Sequence, residues 1–154
     1  MFVPRLVDKL EFVLSQQHPS SWLGLLAAGW WCGAGGHGAC CARCLLAAYV
    51  RAPSYRRRLP LLSLAAILHK QSKLQDAKDV AYILFYISPK SAIGAFLVAV
   101  SHSYLGEYEQ AVWMYRYALS FDETFMPAKA CMHATMCLMW MRENGQGNKL
   151  SKLN

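Results

Sequence analysis

Apolar and small residues recur at helical spacing along most of the 154-residue chain, and alternating strand-like runs are absent. The spacing predicts a leading helix from about Pro4 to Gln17, with Leu6, Leu10, Phe12 and Val13 on its inner side. Further helices follow near residues 20–33, 37–51, 59–71, 73–87, 91–104, 107–120 and 125–142. His18-Pro19 ends the leading helix, and Ser20-Ser21 can cap the next one. The polar, glycine-bearing tail 144–154 is expected to be disordered.

The pattern also repeats. Ala77 and Ala111 stand 34 residues apart, and Leu74, Gln75, Asp76 and Ser88-Pro89 recur in kind as Tyr108, Glu109, Gln110 and Asp122-Glu123. A period of that length marks antiparallel helix pairs that stack, because a lone pair cannot bury its apolar face. Small residues are needed where paired helices cross, and Ala99, Ala111 and Ala118 supply them, while Tyr108 and Tyr115 fill the gaps between pairs. One pair upstream ends at Ser88-Pro89, where proline stops a helix. Another ends at Ala52-Pro53, with Cys41 and Ala48 in the small-residue places and Gly29 opposite them. Cys41 to Ala77 is a step of 36, so two extra residues fall in the Ser54 to Arg58 connection.

The run Gly106-Glu107-Tyr108-Glu109-Gln110-Ala111, with Tyr115, Ala118 and Asp122, resembles the tetratricopeptide repeat. The expected fold is therefore all-α: a right-handed solenoid of antiparallel helix pairs, forming one domain over 1–143. Its units cover about 20–53, 58–89 and 91–123, with flanking helices at 4–17 and 125–142. A closer resemblance covers roughly Arg5 to Leu138 and is to the C-terminal repeat block of the tetratricopeptide repeat protein 17 family. It rests on Ser21-Trp22, Pro60-Leu61, Ser63-Leu64-Ala65, Ile67-Leu68-His69, Glu109 to Trp113, Tyr115 and Pro127-Ala128-Lys129. The stretch from Gly33 to Cys44 departs from it, and the family's long N-terminal portion has no counterpart. The resemblance implies a non-catalytic protein of the cytoplasm and cytoskeleton, acting in actin filament polymerisation and cilium assembly. Partners would then be actin-regulatory or ciliary proteins.

Composition sharpens this picture. Apolar residues make up 55% and charged residues only 16%, so the helix faces stay greasy toward the C-terminus, where Met132, Met136, Leu138, Met139, Trp140 and Met141 crowd one helix. Such a surface fits packing with further repeats or self-association. The net charge is +7, with its excess local to Arg51, Arg56, Arg57, Arg58, Lys70 and Lys73. The arginine group forms a basic patch for an acidic partner, or a solvated connection beside a helix end. Tyr55 alone accompanies it, and no helix-turn-helix or zinc-finger spacing is present, so nucleic acid is not an expected partner.

Met1 to Leu6 lack a secretory signal pattern, so the six cysteines are expected to be reduced thiols. His37, Cys40, Cys41 and Cys44 form a cluster with metal-like spacing, and a zinc-dependent module on His37, Cys41 and Cys44 is one reading. A closed structural zinc site wants four ligands, and no second C-x-x-C follows, so core packing is preferred and no metal or other cofactor is assigned. The uncharged run Ser20 to Ala42 opens another alternative, a small membrane-associated protein with a spanning segment within 20–50. Gly33, Gly35, Gly36 and Gly38 fit a turn between two short helices better.

Catalytic signatures are missing: no G-x-S-x-G, phosphate-binding glycine loop or H-E-x-x-H occurs. His69, His102 and His133 are each a groove contact or a satisfied core group. Helical phase directs Leu26 and Trp30, then Leu62, Ala66, His69 and Lys70, then Phe96, Val100, Ser103 and Tyr104 toward one partner-binding groove. That surface is apolar and aromatic, with Lys70 its single fixed cation. A clamp for an acidic tail is disfavoured, and an apolar helical or extended segment is the expected ligand.

Overall fold

A computed structural model describes residues 21–35 and 38–150. The expected leading helix 4–17 and His37 lie outside the described residues. Among the described residues seven α-helices occur in order: α1 Trp22–Ala34, α2 Gly38–Arg51, α3 Arg58–Lys70, α4 Leu74–Ile87, α5 Ala92–Tyr104, α6 Tyr108–Phe121 and α7 Met126–Leu150. Among the described residues there is no strand. A 3-10 turn, Ser54–Arg56, occupies the connection where the repeat spacing lengthens by two residues.

The chain divides into two compact units, one ending at Val80 and the other beginning at Ala81. In the first, α1, α2 and α3 pack on one another, and in the second α5, α6 and α7 do the same.

The start of α1 follows from Ser21, whose hydroxyl accepts the Gly24 amide at 3.0 Å and satisfies one orphan donor of the first turn. α1 and α2 approach closely at Gly29, where an added Cβ would lie 2.6 Å from Leu45 Cδ2. Glycine is thus required by space rather than by backbone conformation. Cys41, Leu45 and Ala48 form the inner stripe of α2, all fully buried. On α3 the buried stripe includes Leu61, Leu64, Ala65 and Leu68. On α5 it includes Ala95, Val98, Ala99 and His102, each 34 residues on. The next helices keep the same register: Ala77, Val80, Ala81 and Leu84 on α4 correspond to Ala111, Met114, Tyr115 and Ala118 on α6. Burying a leucine such as Leu64 stabilises by about 1.5–3 kcal/mol, so these stripes are what hold each helix pair together.

The turns repeat as well. After α3 the Lys73 amide donates to the Leu68 carbonyl at 3.0 Å, and after α5 the Glu107 amide donates to the His102 carbonyl at 3.0 Å. Both are six-to-one helix ends, which need a left-handed residue just before the donor. Ser72 takes φ 58° and Gly106 takes φ 77° in those places.

α7 differs from the sequence expectation. It runs 25 residues to Leu150 and includes most of the stretch expected to be a disordered tail. No proline interrupts 128–150, and two contacts tie the helix down: Arg142 donates to the Gly106 carbonyl at 3.1 Å and lies 5.1 Å over the Tyr108 ring.

Candidate functional site

In the second unit a concave slot of about 470 Å³ opens between α5 and α7 over Tyr115. The four groove residues expected on α5, Phe96, Val100, Ser103 and Tyr104, all line it. α7 contributes Cys131, Ala134, Thr135 and Leu138. Phe96 is held by ring contacts with Tyr115 at 6.0 Å and Phe125 at 5.2 Å, so it is wall and support at once. Tyr104 is 67% exposed at the rim.

The floor of the slot is polar. Ser103 and Thr135 hydroxyls lie 2.9 Å apart, and Thr135 also donates to the Cys131 carbonyl at 2.8 Å. The Tyr115 phenol joins them; burial pushes it up to about 12, keeping it protonated as a donor. Thr135 escaped the sequence reading because hydroxyls in a methionine-rich helix carry no periodic signal. Its 34-residue counterpart, Ser101, is the nearest hint: both are buried and both bond back to the carbonyl four residues earlier.

The first unit has its own cleft, about 400 Å³, lined by Trp30, Gly33, Ala34, Ser63, Ala66, Ile67 and Lys70. Trp30 is half-exposed, and its indole N–H donates to the Ser63 hydroxyl at 2.8 Å, which in turn donates to the Leu59 carbonyl at 3.1 Å. The indole plane is thereby fixed. Leu62 and His69, expected groove residues on α3, are half-buried and outside the lining of this cleft, and burial holds the His69 imidazole below its usual range. Leu26 is a correction: at 3% exposure it belongs to the core, although it lies only one turn from half-exposed Trp30 on the same helix face.

His102 is a core group. At 7% exposure its Nδ1 donates to the Glu107 carboxylate at 2.5 Å, leaving Nε2 to accept the Tyr82 hydroxyl at 2.8 Å. A hollow of about 300 Å³ lies beside it, bordered by Trp113 and Met114. This chain of groups joins α4, α5 and the start of α6.

The arginines of the basic patch are partly engaged. Arg57 donates to the Ala52 carbonyl at 3.2 Å and lies 5.6 Å over Tyr49, while Arg56 lies 5.5 Å over Tyr55. Arg51 ends α2, where a cation suits the helix dipole, and Arg58 opens α3, where it does not. Cys41 is fully buried, and among the described residues no group of three His, Cys, Asp or Glu side chains could hold a metal ion. Against the spanning alternative, no helix among the described residues is long and apolar enough to cross a membrane. α1 and α2 have 13 and 14 residues, roughly 20 Å each against a hydrocarbon core of about 30 Å.

No protein-family model matches the chain. Over 129 residues, 83% of its length, it is 30% identical to tetratricopeptide repeat protein 17 of Homo sapiens. The same identity and coverage hold for the Mus musculus protein of that name. The Danio rerio protein is 30% identical over 125 residues, 80% of the chain. The chain is a relative of tetratricopeptide repeat protein 17. It spans about 11% of the length of the human relative. The 34-residue recurrence of turns and buried stripes is the physical counterpart of that kinship.

Proposed function

We propose that this chain is a non-enzymatic protein-interaction scaffold that holds an apolar helical or extended partner segment in its concave clefts. The observation that carries this reading is the slot over Tyr115. Its walls are apolar and aromatic, and its floor offers three hydroxyl groups near Ser103. Such a site accepts a hydrophobic side chain and hydrogen-bonds a backbone or amide group behind it. The Trp30 cleft offers a second seat, with Lys70 in its lining.

We expect the repeats to coil in a right-handed sense, as the family resemblance implies. By the same resemblance, the process served is actin filament polymerisation and cilium organisation, through cytoskeletal partners. Co-sedimentation of the chain with actin filaments, alone and with regulatory proteins added, tests that assignment.

The site itself is tested by recovery of partners with the intact chain against a Trp30→Ala, Tyr104→Ala, Leu138→Ser variant. All three side chains are substantially exposed, so helicity should be unchanged. Partners lost from the variant support the clefts; the same proteins recovered by both would remove them as the binding site.

A further inference from the structure

The glycine-rich junction of α1 and α2 carries a feature that partner binding does not use. Cys32 on α1 and Cys40 on α2 face each other with their sulfurs 3.1 Å apart, the Cys32 thiol donating to the Cys40 sulfur. A disulfide needs about 2.05 Å between sulfurs and Cβ atoms about 3.8 Å apart, so closure requires a shift on the order of 1 Å. The neighbouring thiol Cys44 cannot compete for Cys40. The two lie one turn apart on α2, where Cβ atoms are held about 5–6 Å apart. Cys41, on the other face, is fully buried.

We infer that Cys32 and Cys40 form a thiol–disulfide exchange site whose oxidation staples α1 to α2 at their junction. The oxidant class is a low-molecular-weight disulfide such as oxidised glutathione. Cys40 loses its proton to solvent and its sulfur attacks one glutathione sulfur. A mixed disulfide forms, and one glutathione thiolate leaves. Cys32 then loses its proton to solvent and its sulfur attacks the Cys40 sulfur, expelling the second glutathione thiolate, which takes up a proton. Two protein thiols are oxidised and one glutathione disulfide becomes two glutathione molecules.

The second step sets the pace. Hydrogen bonding to Cys40 and burial push the Cys32 thiol up to about 11, so little thiolate is present near neutrality, and exchange should quicken as pH rises. The staple would also act on the unfolded chain. Gly33, Gly35, Gly36 and Gly38 lie between the two cysteines, and a cross-link removes the large conformational freedom that such a segment has when unfolded.

The experiment treats the full chain with oxidised glutathione, then digests it with trypsin under acidic quench and maps the products by mass. Trypsin leaves Cys32, Cys40 and Cys41 together on the peptide Leu10 to Arg43 and places Cys44 on the next one. The expected product is an internal disulfide within the first peptide, unchanged in Cys44→Ala and replaced by a stable glutathione adduct on Cys40 in Cys32→Ser. Cross-linked protein should melt on the order of 5 °C higher than reduced protein. A cross-link that survives Cys32→Ser, one that joins Cys44, or full recovery of free thiols after treatment of wild type at mildly alkaline pH would overturn the assignment. Cys40→Ser, which keeps a small polar side chain, guards against misfolding: it should leave the helical signal intact while abolishing the disulfide.

Discussion

Ser72 and Gly106 stand 34 residues apart and both hold left-handed backbone at the end of a repeat's first helix, with φ of 58° and 77°. Each lets the following amide reach back to a carbonyl five residues earlier, and the two bonds have the same length, 3.0 Å. The pairing shows the repeat at the level of backbone geometry, below anything side-chain similarity can express. A serine pays conformational strain where glycine does not.

Gly106→Ala should therefore destabilise the chain by about 1 kcal/mol, although space at Gly106 is open and no added atom would clash. Ser72→Gly should do the opposite, raising stability by about 0.5–1 kcal/mol. Urea midpoints measured side by side check both signs; a neutral Gly106→Ala would mean that the turn is not held as described.

Gly29→Ala addresses a different constraint. Its new methyl would meet the Leu45 side chain, which is fully buried and cannot swing away, so a loss of about 1–3 kcal/mol is expected. Leu45→Ala should cost about 2–5 kcal/mol alone. Combined, the two should cost less than their sum, a coupling that thermal unfolding of the four proteins would read.

Legibility followed the physics of each feature. The small residues Ala99, Ala111 and Ala118, all fully buried, were readable because helical phase places them where paired helices cross and bulk is excluded. The α5 wall of the slot, Phe96, Val100, Ser103 and Tyr104, followed from the same phase. Leu26 did not, since phase marks an apolar stripe without saying which neighbour covers it. Thr135 and Arg142 were illegible for a related reason: their partners, Ser103 and Gly106, are 32 and 36 residues away, and such contacts leave no local pattern. The extension of α7 past residue 142 was hidden by Gly145 and Gly147, whose low helix propensity is offset where the preceding turns are anchored.

The Tyr82, His102 and Glu107 chain makes its own prediction. Removing either outer partner leaves a buried ring nitrogen unsatisfied, so Tyr82→Phe and Glu107→Ala should each cost about 1–3 kcal/mol. A double-mutant cycle should show coupling, because both act through one ring. Additive losses would mean that the two contacts are independent.

His69 sets a pH dependence of definite sign. Burial lowers its folded-state pKa below the usual 6.5, so the folded chain keeps it neutral while the unfolded chain takes a proton as pH falls through that value. Its contribution to stability is complete above 6.5 and declines below it until the folded-state pKa is reached. His69→Gln should flatten the fall in urea midpoint between about pH 7 and pH 5; an unchanged slope would assign that titration to other groups.

The most direct measurement of the binding proposal is site-specific photo-crosslinking. A benzophenone amino acid is placed at Tyr104 or Leu138 on the rim of the slot, and at exposed Arg116 on α6 as a comparison. Crosslinks from Tyr104 and Leu138 to one and the same partner segment, with none from Arg116, are the predicted result. Equal crosslinking from all three positions, or crosslinking from Arg116 alone, would contradict it.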